Sequence, residues 1–268
     1  MRITVRHRIT IAFEPPATGV VATLRLSPRD HTGQYVCRWQ IDLDDTARLV
    51  ASQDAFGNLI HGYSRDGAMD SLTVIAHGEV EVEDTVGVLR GTVEKLPLAI
   101  YLRETHACQA SDGDRAQAEA LADKAKTNRL DALHELMTIT HEAQEPHEED
   151  LEISAQTQSL AFGTKPDELF RACRFVAAAR HLRIPARFVS GYRLLPDEAK
   201  GRFHIWAEAF VPDYGWIAFD PELGACPNDR HIRVAIGLDP LAVAPHRFAP
   251  RGFCASEVDE MVTVLPAD

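Results

Sequence analysis

The sequence predicts an α+β fold: an N-terminal antiparallel β-sandwich, then a core in which a helix packs on an antiparallel sheet. Apolar and polar residues alternate through much of the first hundred or so residues, as in strands that bury one face. Further along, a buried-helix pattern precedes several short apolar runs bounded by turn residues. We therefore predict two domains, a β-sandwich over residues 1–108 and a core over residues 109–268.

The first strand shows this alternation most clearly. Its apolar positions are Ile3, Val5, Ile9, Ile11 and Phe13, and His7 is the one polar residue on that face. A histidine alone on an apolar strand face is more typical of a hydrogen-bonded core residue than of a ligand. A later run with the same period predicts that Cys37 lies on the core face, where it would pack as a small apolar side chain.

Charge and targeting signals narrow the functional classes. The chain has 28 basic and 40 acidic residues, a net charge of −12, which disfavours nucleic acid and anionic membranes as partners. No segment is apolar enough to span a membrane or to act as a signal peptide, so we expect a cytoplasmic protein. The acidic run from Glu142 to Glu152 is typical of a solvated loop, with recruitment of a basic partner as the alternative.

Cysteine and histidine spacing gives no sign of a metal or cofactor. The five cysteines are scattered and form no Cys-x-x-Cys pair, so neither a disulfide framework nor a zinc knuckle is indicated. His134, His141 and His147 lie among acidic residues but lack the His-Glu-x-x-His spacing of a helical zinc site. We therefore predict no metal and no cofactor.

A helix is predicted to begin at about Lys165 and to end before Ile184-Pro185. Thr164 and Asp167 have the spacing of a capping box, and Pro166 suits a first helical turn. Apolar residues then follow at steps of three and four, which predicts a buried stripe: Leu169, Phe170, Cys173, Val176, Ala177 and Leu182.

The segment from Phe203 to Pro221 is predicted to be a β-hairpin that carries polar groups on one face. His204, Trp206 and Glu208 share a face because strand side chains alternate. A Pro-Asp-Tyr-Gly turn reverses the chain, so Asp220 should return beside His204. A carboxylate in that place holds an imidazole in one tautomer.

Four motifs carry a resemblance to a known family. They are Ile184-Pro-Ala-Arg-Phe-Val-Ser-Gly-Tyr192, His204-Ile-Trp-Ala-Glu208, Gly215-Trp-Ile-Ala-Phe-Asp-Pro221 and His231-Ile-Arg-Val-Ala-Ile-Gly237. With Leu24-Arg-Leu-Ser-Pro28 and Asp54-Ala-Phe-Gly-Asn58 nearer the N-terminus, the chain resembles the bacterial transglutaminase-like superfamily over nearly its whole length. The resemblance implies a papain-like core with a Cys-His-Asp triad. It also implies transglutaminase, peptidase or amidohydrolase chemistry through a thioester.

Carried over by motif, His204 takes the place of the general base and Asp220 that of the orienting acid. Glu168 occupies the position of the family's nucleophilic cysteine. Cys173 is the nearest cysteine, but it would lie about two turns into the helix, where backbone N–H groups are already bonded. Such a position predicts a core cysteine rather than an activated thiol, which makes Cys173 a doubtful nucleophile.

Three functions remain open at this stage. The first is a non-catalytic protein, a pseudoenzyme, that binds a peptide, a protein or an amide-containing small molecule in the cleft. The second is an active cysteine peptidase, amidohydrolase or transglutaminase that uses Cys173, His204 and Asp220, which requires the helix to begin near Arg171. The third is a hydrolase that uses Glu168 without a thiol.

The polar residues of the hairpin and of the strand before it can each have a functional or a purely structural role. His204 and Asp220 can form a purely structural hydrogen bond, with Trp206 and Trp216 packed around it. Arg187 and Tyr192 can line a cleft, or can simply be buried strand residues.

Overall fold

A computed structural model describes residues 1–92, 94–143, 166–195 and 201–267. Within these ranges the chain is α+β, as predicted, with two antiparallel sheets. The larger sheet contains β1 (Arg2–Leu24), β2 (Gln34–Leu43), β3 (Val50–Gln53), β4 (Leu59–Val82), β9 (His246–Arg251) and β10 (Ala255–Pro266). The smaller sheet has the order β7-β6-β5-β8, with β5 (Ala186–Arg193), β6 (Arg202–Val211), β7 (Gly215–Phe219) and β8 (His231–Gly237).

The helices lie between β4 and β5 and between β8 and β9. They are α1 (Asp112–Ala120), α2 (Ala122–Thr127), α3 (Arg129–His141), α4 (Pro166–His181) and α5 (Pro240–Val243), with a 3-10 helix at Leu98–Leu102. None of the described helices is long and apolar enough to cross a lipid bilayer.

The predicted sandwich forms from one bent sheet. β1 and β4 pair along most of their lengths, with register shifts between Ala12 and Gly19 that interrupt the ladder. The first half of β1 pairs with β10 and the second half with β9. Apolar side chains from both halves share one core, which contains Ile9, Ile11, Phe13, Val20, Ala22 and Leu24 of β1. Bulges of this kind let a single sheet turn back on its own apolar face.

The last two strands complete the N-terminal sheet. β10 pairs with β1 from Ile3 to Glu14, and β9 pairs with it from Gly19 to Leu24. The predicted boundary at residue 108 assigns both strands to the core domain, whereas their hydrogen bonds place them in the other sheet. Residues far apart in sequence make this pairing, so local patterns do not reveal it.

Cys37 is exposed, and its predicted place on the core face is wrong. A register shift between Val36 and Arg38 leaves Cys37 as the extra residue on β2. Such a bulge breaks the period-two alternation on which the prediction depended.

Helix α4 packs on the smaller sheet and shares a hydrophobic core with it. Its buried residues include Leu169, Ala172, Phe175, Val176 and Ala179, which share a core with Phe188 of β5 and with Ile205 and Ala207 of β6. The chain leaves the helix through Arg183, whose φ is +59°, before the Ile184-Pro185 pair. The predicted capping box lies outside the described residues, since it depends on Thr164. His147 and the acidic run beyond Ala143 lie outside them as well.

Candidate functional site

The hairpin brings His204 and Asp220 together as its register predicts. His204 lies on β6 and Asp220 directly follows β7, and both are fully buried. Nε2 of His204 is 2.6 Å from Oδ2 of Asp220. The other oxygen, Oδ1, accepts the backbone N–H groups of Glu222 at 3.1 Å and Leu223 at 3.4 Å. The acid is therefore fixed by its own turn, and it orients the imidazole.

Glu168 contacts the opposite side of the same ring. It is the third residue of α4 and is almost completely buried. Its Oε2 lies 3.0 Å from Nδ1 of His204, and its Oε1 lies 2.6 Å from Nη2 of Arg202. Each ring nitrogen of His204 therefore faces a carboxyl oxygen. The sequence analysis did not select Arg202, although it stands two residues before His204 and so shares its face of β6.

These contacts shift the pKa values of His204 and Asp220. Burial acts to lower the pKa of His204, but Asp220 and Glu168 outweigh it and raise that pKa to about 9. Burial acts to raise the pKa of Asp220, and the neighbouring His204 and His231 overcome it, so that pKa falls below its ordinary value. At neutral pH His204 is accordingly an imidazolium held between two acids.

His231 is a further member of the site that sequence reasoning did not assign. It begins β8, and its Nε2 lies 3.3 Å from Oδ2 of Asp220. Burial lowers the pKa of His231, and Asp220 partly opposes this shift. The signal that could have found it is its place at the head of the fourth family motif.

An aromatic wall closes one side of the site. The Trp206 ring stacks on His204 with centroids 6.0 Å apart, and it meets the His231 ring edge-on at 5.6 Å. Gly191 on β5 pairs with His204 on one side and with Arg233 on the other. A Cβ at Gly191 would lie 2.9 Å from the Trp206 ring, so a glycine here makes room for this packing.

Cys173 is in the helix interior and does not join this group. It is the eighth residue of α4, and its Sγ lies 3.8 Å from the carbonyl oxygen of Ala107. A hydrogen bond with Cys108 and then burial raise the pKa of the Cys173 thiol well above its ordinary value. The helix already runs from Pro166, so the start near Arg171 that a catalytic Cys173 requires is not present.

Arg187 and Tyr192 are buried strand residues. Arg187 pairs with Glu208 at 2.6 Å and Glu94 at 2.8 Å, and its guanidinium carbon lies 3.8 Å from the Trp216 ring centroid. Burial acts to raise the pKa of Glu208, but Arg233 and Arg187 lower it to about 2. The hydroxyl of Tyr192 lies 3.1 Å from Nδ1 of His7, which confirms His7 as a hydrogen-bonded core residue.

The histidines of α3 make structural contacts instead. His134 packs edge-on against Phe219 with centroids 5.5 Å apart. Nδ1 of His141 lies 3.0 Å from the carbonyl oxygen of Pro221. Neither belongs to a cluster of metal-binding side chains among the residues that the structure describes.

A small cavity adjoins the site on the His231 side. It measures about 50 Å³ and lies between loops of the N-terminal half and strands of the smaller sheet. Its lining includes His31, Val88, Trp206, Ala218, His231 and Arg233. The cavity therefore lies beside the buried site, where loops of the N-terminal half meet the smaller sheet.

The fold matches that of a solved structure. Over 100% of this chain and 92% of the other, the structure superposes on a candidate cysteine protease from Cytophaga hutchinsonii, with TM-score 0.67 and 16% identity. This match shows a transglutaminase-like cysteine protease fold.

Sequence comparison gives the family. Residues 3–81 match the bacterial transglutaminase-like N-terminal region, and residues 114–221 match the transglutaminase-like superfamily. The chain thus belongs to the bacterial transglutaminase-like superfamily. The uncharacterized protein ML0607 of Mycobacterium leprae is 23% identical to it, over 98% of both chains.

Proposed function

We propose that this protein is a non-catalytic member of its superfamily, in which Glu168 replaces the nucleophile and the core acts as a binding module. The partner would be a peptide, a protein or an amide-containing small molecule. One observation carries the proposal: Oε2 of Glu168 lies 3.0 Å from Nδ1 of His204, on the side of the ring away from Asp220.

The geometry disfavours acid–base chemistry by His204. A general base works best with a pKa near the operating pH. Here two carboxyl groups raise the pKa of His204 to about 9, so the ring is protonated at neutral pH. Its two nitrogens also face Glu168 and Asp220, which leaves neither directed at a substrate.

Glu168 is a poor substitute for a thiolate. Its side chain is fully buried, and its other oxygen lies 2.6 Å from Arg202. An ion pair on both oxygens stabilises the carboxylate and lowers its nucleophilicity. The same ion pairs compensate the cost of burying charge, since a buried carboxylate is tolerated only when it is paired.

The cavity beside His231 supports a binding role. Its walls combine apolar groups, including Val88, Trp206 and Ala218, with the polar side chains of His231 and Arg233. Small-molecule sites commonly join an apolar surface to a few oriented polar groups. A volume of about 50 Å³ is suited to one small side chain or a few waters.

The test is to restore the thiol. Glu168→Cys places a cysteine in the first turn of α4, where free N–H groups and the helix dipole favour a thiolate beside His204. We expect the wild type to show no hydrolysis of activated esters or amides and no incorporation of amines into glutamine peptides. Glu168→Cys should react rapidly with iodoacetamide at the new position and gain ester hydrolysis.

Control variants test whether the gained reactivity depends on His204 and whether Cys173 contributes to any activity. Glu168→Cys with His204→Ala should lose both the fast alkylation and the gained hydrolysis. Cys173→Ser should leave every readout of the wild type unchanged. Wild-type activity that disappears in Cys173→Ser, or in Glu168→Gln, would overturn the proposal.

A further inference from the structure

We propose that His204, Asp220 and His231 bind a divalent transition-metal ion, with Zn²⁺ as the ion that suits them best. One ring nitrogen of each histidine and a carboxylate oxygen of Asp220 all lie within 4.8 Å of one another. Two imidazole nitrogens and one carboxylate oxygen form a donor set that zinc uses in proteins. All three residues are buried, which protects such a site from competing water.

The atoms behind the three donors are arranged to hold them in place. Metal-binding histidines usually donate their second ring N–H to an oxygen acceptor. Nδ1 of His204 has Glu168 Oε2 at 3.0 Å, and Nδ1 of His231 has Asn228 Oδ1 at 3.2 Å. The backbone N–H of Asn228 also lies 3.2 Å from Nδ1 of His231, so metal binding at Nε2 requires the tautomer in which Nδ1 donates to Oδ1. Oδ1 of Asp220 is held by the backbone N–H of Glu222, which leaves Oδ2 directed at both imidazoles. A proton relay between His204 and Asp220 alone does not need Asn228 or His231.

The distances are close to those of a bound ion. Zinc at about 2.0–2.1 Å from tetrahedral ligands separates the donor atoms by about 3.3 Å. His231 Nε2 and Asp220 Oδ2 are already 3.3 Å apart. His204 Nε2 and Asp220 Oδ2 are 2.6 Å apart, so this pair must open by about 0.7 Å as the ion replaces the proton between them.

An entry route and an open position are also present. The cavity is lined by Trp206, Asn228 and His231, so it reaches the His231 end of the cluster. Three protein ligands leave one position of a tetrahedral ion for water or for an oxygen of a bound molecule. This inference rests on the part of the proposed function in which Glu168 pairs with His204 and does not act as a nucleophile.

The experiment uses the full chain without a histidine tag, treated with a chelator and then titrated with zinc chloride by calorimetry. We expect one equivalent to bind and to remain after gel filtration. Substitution by Co²⁺ should give the visible absorption of a tetrahedral site. His231→Asn and Asp220→Asn should lose the bound ion, whereas His181→Asn, a change on the surface of α4, should keep it.

Asn228→Ala serves as a second variant in case His231→Asn or Asp220→Asn fails to fold. Asn228 is exposed and is not itself a metal ligand, so its substitution should leave the fold intact. We expect this variant to bind zinc about 10–100-fold more weakly, the usual cost of removing such an outer partner. The proposal is overturned if the wild type holds no stoichiometric zinc, or if folded His231→Asn retains it. Should His231→Asn fail to fold, unchanged affinity in Asn228→Ala overturns it instead. None of these results depends on whether Glu168→Cys gains hydrolysis, so the two proposals fail separately.

Discussion

Nε2 of His204 lies 2.6 Å from Oδ2 of Asp220, and neither side chain is exposed to solvent. In an active thiol hydrolase the ring would have one nitrogen left for the nucleophile. Here that nitrogen faces Glu168 at 3.0 Å. The two carboxyl groups favour the protonated, positively charged form of the ring. The free energy of unfolding should therefore depend on pH.

The free energy of unfolding should fall as pH rises above neutrality. The pKa of His204 is about 9 in the folded protein, against an ordinary 6.5. A group with a raised folded pKa stabilises fully below about pH 6.5, and that contribution is lost as pH rises through about 9. The difference corresponds to roughly 3 kcal/mol. Urea unfolding at a series of pH values measures it.

Two variants serve as controls for this pH profile. Glu168→Gln removes one of the acids that raise the pKa of His204, so the loss of stability should begin at lower pH. His181→Gln changes a histidine outside the site and should keep the wild-type profile. An unfolding free energy that stays constant between pH 6.5 and 9 would contradict the prediction.

Arg187→Met should destabilise the protein far more than the loss of a surface ion pair. Arg187 is fully buried against Glu208 and the Trp216 ring, and breaking such a pair leaves a buried charge partly uncompensated. We expect a loss of about 3 kcal/mol. Arg38→Met removes an arginine that pairs with Glu79 at 3.1 Å with its side chain 74% exposed, and should cost less than about 1 kcal/mol. Similar losses in both, measured by urea unfolding, would argue against the prediction.

Gly191→Ala should be among the most damaging single-methyl changes in the smaller sheet. The added Cβ would lie 1.9 Å from the backbone oxygen of Ile232, which cannot move without disturbing β8. We expect a loss of about 3 kcal/mol or more, or failure to fold. Gly62→Ala on β4 is the matched control, because its Cβ meets nothing closer than 3.8 Å. Its cost in thermal and urea unfolding should stay below about 1 kcal/mol, and equal costs would refute the steric account.

The sequence was most informative where contacts are local. The hairpin that joins His204 to Asp220 follows from strand alternation and one short turn, so its register could be predicted. The packing of Cys173 against the core followed from the periodicity of α4 in the same way. The sequence placed Glu168 at the family's nucleophile position but left open whether it faces His204, because that contact depends on how the helix packs on the sheet.

The sequence did not predict the strand order of the smaller sheet or the bulge in β2. His231 reaches Asp220 only because β8 lies beside β5, with Gly191 making room across the sheet. Cys37 points outward because one extra residue in β2 reverses the alternation. Neither strand order nor a bulge leaves a clear local pattern, which explains why both had to come from the structure.

The pairing of β10 with β1 has a consequence for synthesis of the chain. Residues Ile3–Glu14 are synthesised well before their partners Ala255–Pro266. During translation the long edge of β1 therefore stays unpaired, and unpaired strand edges with apolar neighbours invite association between nascent chains. The larger sheet can close only once β10 has been synthesised, because β10 pairs with β1.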